Sequence, residues 1–546
     1  MKAFSLKRST WILWYLVLMV FLVGADGFLT VFFSFSKMSY GEACSAVNAL
    51  AKDHQVDFFS EAVFVELKAM TLVLGIGLIL AALIWILNRR RSLMWVDAIW
   101  LGMKSRFHVD RLQITEVRRS ERVVNLMYFA IPAAFWGIYT FIGLSLRNTA
   151  IFLDNDMLFD TDIVTVVKIL SQLGGESERH PFFGLLFSPF ISLLGRVIQS
   201  PIAAAILLNS FFGALTVWLT MLILIRLGLK PITAGLWAIV FGASTSQITF
   251  GSFPETYSFA ACSLALIFYL MLQLPGNLLA FIPAGVFTFG VTGTNLIQAT
   301  IIHALGLTGT RFTRLEKFNR IVIFLITVVL LAAVFNTASI SLLRSGVVFY
   351  LPGAYGQSMR FFYSGDSESM PNRIGLLMES LFLFNIAGPN LYITPLGSHD
   401  SPSNPEFPDD LIKDFAFSQV TYSFATYVPS SLLYANLPAY LGWFVWLELL
   451  VLGIIRIIRK RLYLDQAVMA IAFCLFFNFY FHLFWGLDLS LYTAHWTFLV
   501  VILAAYGIGN GKYDRLLHSI VFVLIVLLSW NNTILISRLG VIFAQE

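Results

Sequence analysis

Apolar stretches recur along this chain at a length that a bilayer, and few other surroundings, can hide. They fall at about 10–35, 67–88, 124–146, 201–225, 232–249, 257–274, 278–291, 293–308, 321–339, 432–455, 466–484, 495–509 and 516–532. A helix crossing the hydrocarbon needs roughly 20 mostly apolar residues. The expected fold class is therefore an all-α polytopic membrane protein with about 13 transmembrane helices, the count lying between about 11 and 14. Composition agrees. Charged residues are 12% of the chain, where a soluble domain carries about 25%, and the mean hydropathy is +0.79. An ordinary soluble enzyme is excluded, and so is a disordered chain, which needs low hydrophobicity and high charge. The 278–308 region is the least regular, because Gly290, Gly293 and Asn295 interrupt it.

Charge gives the expected sidedness. MKAFSLKRS precedes an apolar run from Thr10 and resembles a signal peptide. The run continues to about Phe35 without a small-residue cleavage site, so it reads as an uncleaved first span. With the N-terminus cytoplasmic, the inner segments carry 24 of the 36 Lys and Arg but only seven of the 31 acids. That asymmetry follows the positive-inside rule. It also explains a net charge of +5 without nucleic acid, since the basic residues lie in short clusters between apolar runs. Residues 1–123 read as two spans plus a cytoplasmic interfacial segment with Trp95 and Trp100. Residues 124–340 read as a core with an outer loop at 147–200, 341–431 as a large outer loop, and 432–546 as C-terminal spans. Cys44, Cys262 and Cys474 are far apart and form neither a disulfide framework nor a metal motif.

The loop after the third span concentrates chemistry. Asp154, Asp156, Asp160 and Asp162 fall within nine residues, followed by an apolar helical stretch and then Arg179-His180-Pro181. Phe182 to Val197 is apolar, short and broken by Pro189, which suits a helix lying along the interface. Three readings of the acids are open: a solvated loop, a site for Mg²⁺ or Mn²⁺, or a general base tuned by partial burial. Two further patches sit at outer span ends: GSFPETYSF with Glu255 and Tyr257, and HLFWGLDLSLYTAHWTF with Asp488, Tyr492 and His495. Ionisable groups at such depth tend to be functional.

A span, an outer-loop acid, a helix along the membrane, a His-Pro element and many further spans resemble the GT-C glycosyltransferases, polytopic enzymes that use polyprenyl-phosphate sugars. FDTD at Asp160 and Asp162 is similar to the family's acidic motif, and HPFFGLL at His180-Pro181 to its bacterial His-Pro element. Two extra spans precede the matching core, and the loop at 36–66 has acids but no Asp-x-Asp and no His-Pro. The resemblance implies a transferase of the bacterial plasma membrane, working on its outer, periplasmic face with inversion at the sugar. The donor would be a polyprenyl-phosphate sugar, and the acceptor a glycan, a lipid or a protein. The chemistry implied requires no cofactor, with Mg²⁺ or Mn²⁺ left open.

On that resemblance Asp162 is the first candidate for the base, then Asp160, then Asp154 or Asp156. Asp162 also begins an apolar helix and reads equally as an N-cap. His180 reads as a phosphate ligand, a partner of the base or a loop histidine. The phosphate's cations would come from Arg360, then Arg344, Arg179 and Arg373, any of which also reads as an interfacial arginine. Glu255, Tyr257, Tyr492 and His495 complete the expected substrate contacts. Residues 340–431 are too long for a turn and read as a cover over the site or a connector, with a short helix near Ile374–Asn385. Asn531-Asn532-Thr533 matches a glycosylation sequon. The competing function is a transporter or flippase of lipid-linked glycan, for which repeats and broken helices would speak; a polymerase or ligase would share the transferase chemistry.

Overall fold

The computed structural model describes residues 117–153, 155, 158–159, 161–172, 179–343, 347–350, 362, 370–389, 391–395, 420–424, 436–486, 488–510 and 514–543. The expected spans at 10–35 and 67–88 lie outside them. The chain divides into two compact units, Met1–Leu126 with Thr337–Ser345, and Met127–Asn336 with Gly346–Glu546. The second unit holds all that follows.

It is a helical bundle. α1 (Val117–Leu146) leads to α2 (Ile163–Gln172) and α3 (Phe183–Ile198), then to α4 (Pro201–Arg226). α5 (Pro231–Gly242) and α6 (Thr245–Ser252) follow, then α7 (Thr256–Gln273), α8 (Leu278–Val291), α9 (Asn295–Gly306) and α10 (Arg314–Leu343). α11 (Met370–Glu379) runs into a π turn at Ser380–Phe384, close to the short helix expected there. β1 (Leu391–Pro395) pairs antiparallel with β2 (Val420–Phe424), a ribbon that an all-helical reading did not include. α12 (Leu437–Arg459), α13 (Gln466–Phe484), a 3₁₀ turn at Leu489–His495, α14 (Thr497–Ile508) and α15 (Asp514–Phe543) complete the chain.

Seven of these helices are long and apolar enough to cross a membrane, and an eighth crossing is the pair Leu489–His495 with Thr497–Ile508, bent by 56°. The chain is thus a multi-pass helical membrane protein, with fewer unbroken spans among the described residues than expected. The 232–249 stretch is α5 and α6, parted where Ser244 leaves the helix and its side chain caps the next one. α8 and α9 have 14 and 12 residues, or about 21 and 18 Å at 1.5 Å per residue. Neither matches the roughly 30 Å of hydrocarbon. Hydropathy hides such breaks, because Ser, Thr and Gly interrupt a helix without making the stretch polar.

α4 and α7 pack together at the centre, with 61% and 72% of their apolar windows buried. α3 lays Phe183 and Phe187 against Phe259 of α7, at ring separations of 5.0 and 4.5 Å. α12 crosses α14 at glycines. A methyl on Gly453 would stand 2.9 Å from the Ala504 carbonyl, and one on Gly507 would overlap the Gly453 carbonyl. Small residues let apolar helices approach this closely. Asn531 and Asn532 lie buried within α15, where Asn531 Nδ2 donates to the Gly388 carbonyl at 3.0 Å. The sequon is thus inside the folded bundle, a correction to its reading as an outer acceptor. Gly507→Ala should lower stability by about 1–3 kcal/mol through overpacking. Gly137→Ala, with nothing within 4 Å of the new carbon, should leave the unfolding midpoint in detergent unchanged; equal effects would count against the close crossing.

Candidate functional site

The site begins where α2 begins. Asp162 sits one residue before the helix, and its carbonyl accepts from Val166 at 2.8 Å, the hydrogen bond of an N-cap position. Asn155 steadies the same helix end, since its amide donates to Thr165 Oγ1 at 2.8 Å and its Oδ1 accepts from the Thr165 N–H at 3.1 Å. The Asp162 side chain is 46% exposed and pairs with Arg179 at 3.9 Å. Asp154, Asp156, Asp160, Arg344 and Arg360 lie outside the described residues.

The Arg179–Phe182 segment is laced to the turn between α8 and α9. The Gly293 N–H donates to the Arg179 carbonyl at 3.0 Å, and His180 Nδ1 meets the Val291 carbonyl at 2.6 Å. Phe182 lies against Gly290, where any Cβ would strike its ring. Asn336 holds the segment from α10, its Nδ2 donating to the Pro181 and Val347 carbonyls.

Glu255 closes the arrangement. It is the N-cap of α7, 3% exposed, and both carboxyl oxygens accept main-chain hydrogen bonds. Oε2 accepts from the Thr256 N–H at 3.0 Å, and Oε1 from the Asp162 N–H. One turn into α7, the Tyr257 ring lies 5.9 Å from Tyr492 and 5.4 Å from His495. Tyr492 in turn lies 4.2 Å from His482. The Nε2 of His495 is buried without a hydrogen-bond partner among the described residues. The structure therefore brings together Asp162, Arg179, His180, Glu255, Tyr257, Tyr492 and His495, drawn from four separate stretches of sequence. His482, Asn155 and Asn336 were missed. His482 lies 13 residues before His495 in the same polar patch, the one signal that could have raised it.

Arg373, a candidate phosphate ligand, serves otherwise. It is buried and donates to the carbonyls of His482, Leu483, Trp485 and Gly486 at 2.8–3.2 Å, closing the end of α13. A cation suits the carbonyl end of a helix.

Burial and the neighbouring Asp162 charge push the Glu255 carboxyl up to about 8, against the pull of its two N–H donors and Arg179. Burial and the Arg179 guanidinium bring His180 down to about 4, opposed by the Val291 carbonyl. Near neutral pH the cluster thus sets one partly exposed ion pair among neutral polar groups. Such a centre can accept a proton at Asp162 and offer a cation to an anion at Arg179. No group of three or more His, Cys, Asp or Glu able to hold a metal occurs among the described residues. No protein-family model, curated protein or solved structure matches the chain.

The two shifts act on stability in opposite senses. Glu255 holds its proton more tightly folded than unfolded, so stability falls as pH rises from 4.5 to about 8. His180 holds its proton less tightly folded, so stability rises from pH 4 to 6.5. Of these two, only Glu255 acts between pH 6.5 and 8. Across that window the unfolding midpoint of wild type should fall relative to Glu255→Gln; a difference that stays flat would contradict the burial of an ionisable carboxyl.

Proposed function

We propose that this protein is an integral-membrane glycosyltransferase of GT-C type. It moves a sugar from a polyprenyl-phosphate carrier to an acceptor hydroxyl at the outer face of a plasma membrane. The observation that carries the reading is the Asp162–Arg179 pair, at 3.9 Å and partly open, beside the buried Glu255 and at the end of an apolar helix.

The acceptor hydroxyl gives its proton to the Asp162 carboxylate as its oxygen attacks the anomeric carbon. The bond from that carbon to the phosphate oxygen breaks with its electron pair, and polyprenyl phosphate departs. Attack from the face opposite the leaving group inverts the anomeric centre, through a transition state with oxocarbenium character. Arg179 meets the charge that develops on the phosphate, and Arg344 and Arg360 are further candidates for it. Tyr257, Tyr492 and His495 offer rings and polar atoms to the sugar. The neutral His180, fixed through Nδ1, leaves Nε2 for a phosphate or sugar oxygen. Asp160, Asp154 and Asp156 stay as alternative bases, and the route needs no metal, although Mg²⁺ or Mn²⁺ on those acids would not conflict with it.

A second reading has an observation of its own. The α5–α6 break, the short α8 and α9, and the 56° bend before α14 are interrupted helices of the kind transporters use. A flippase of lipid-linked glycan would build on them.

One experiment separates the two. Purified protein is given a panel of polyprenyl-phosphate sugars, and release of polyprenyl phosphate is followed for wild type, Asp162→Asn and Asp160→Asn. Loss of a general base costs about 10²–10⁴-fold, so Asp162→Asn should lose at least 100-fold while retaining donor binding. Movement of lipid-linked glycan across liposomes without turnover, unchanged in both variants, would overturn the transferase.

A further inference from the structure

Glu255 ties two chain segments that are 93 residues apart. Its carboxylate accepts the N–H of Asp162, at the start of α2, and the N–H of Thr256, at the start of α7. Those amides are among the unsatisfied donors that every helix start leaves. α2 is a helix of ten residues, too short to hold its own position in isolation. α7 is the most buried of the long helices. The carboxylate therefore refers the position of Asp162 to the most fixed helix of the bundle.

We propose that Glu255 is a positioning residue, which sets the Asp162 carboxylate against Arg179 by clamping the Asp162 main-chain amide to the start of α7. This deepens the transferase reading and rests on it for the role of Asp162. The clamp itself is independent of that reading.

Charge decides how firmly it holds. As a carboxylate, Glu255 gives each amide its own anionic oxygen, and such hydrogen bonds are stronger than neutral ones. With a proton on one oxygen, that oxygen becomes a poor acceptor and one of the two bonds weakens. The carboxyl, pushed up to about 8 by burial and by Asp162, places this change within a workable range. The charged and titratable groups that act on it or lie beside it, among the described residues, are Asp162 at α2, Arg179 and His180 in the connecting segment, Tyr257 on its own helix, and Tyr492 and His495 from the 3₁₀ turn.

The test combines hydrogen exchange with turnover. Exchange is followed by mass spectrometry on the full chain in detergent, and protection at residues 158–166 and 253–258 is corrected for the chemical rate at each pH. In wild type, protection of one or both segments should rise as pH passes 8. Glu255→Gln should remove that step and expose the Asp162 amide, and Glu255→Ala should do so more strongly. With the polyprenyl-phosphate sugars of the preceding assay, Glu255→Gln should lower kcat by about 100-fold, the cost of a small misplacement of a reacting group. Its KM for the donor should stay within about twofold, as expected when only transition-state geometry is lost, and the pH–rate limb near 8 should disappear. Unchanged protection in wild type across pH 6.5–9, or in both variants, overturns the clamp. Should a variant fail to fold, the wild-type pH series still decides. If Asp162→Asn keeps full turnover while the exchange results hold, the clamp stands and the transferase reading falls.

Discussion

Main-chain hydrogen bonding governs this structure. Inside a bilayer each N–H and C=O must find a partner within the protein, so every interruption of a helix must be closed by other groups. The interruptions gather around α6, α7, the α8–α9 turn and the end of α13, and a polar side chain meets each of them. Asn209 donates to the carbonyls of Phe250, Gly251 and Phe253 where α6 ends. Glu255 takes the amides of Asp162 and Thr256. His180 meets Val291, and Arg373 closes α13. The polar groups that repair the backbone and those that form the candidate site are thus largely one set.

The electrostatics follow from the same economy. A charge is costly where water is scarce, and the cluster carries few. Arg179 and Asp162 neutralise each other at its partly open edge. His180 is held neutral, and Glu255 retains a proton to unusually high pH because both burial and Asp162 oppose its ionisation. The pairing keeps a carboxylate and a guanidinium together near an apolar interior without burying a net charge.

Much of this was legible in the sequence. Apolar length marks the long helices, because hydropathy measures what a span must satisfy. The seven clustered residues were also readable, since an Asp, an Arg-His-Pro, a Glu and a Tyr–His patch at span ends are rare enough to stand out. The long-range polar links were not. Asn209, Asn336 and Arg373 act on carbonyls 41 to 155 residues away in sequence, and neither periodicity nor charge counting reports such a partner. The breaks in α5–α6 and α8–α9 were hidden for a related reason. Ser244 and Thr292–Thr294 change the direction of the backbone while leaving the stretch apolar on average.

The chain between α10 and α12 gains a different character from its anchors. Asn336 fastens residues 347 and 349. Arg373 fastens α11 to the end of α13. Thr245 and Ser246 take Ile386 and Asn385, and Asn531 takes Gly388. These three piers divide a connection of some ninety residues into shorter arches. The entropy of closing an arch depends on its own length, not on the length of the whole. A substitution at one pier therefore lengthens two neighbouring arches into one, and its effect should be felt across both.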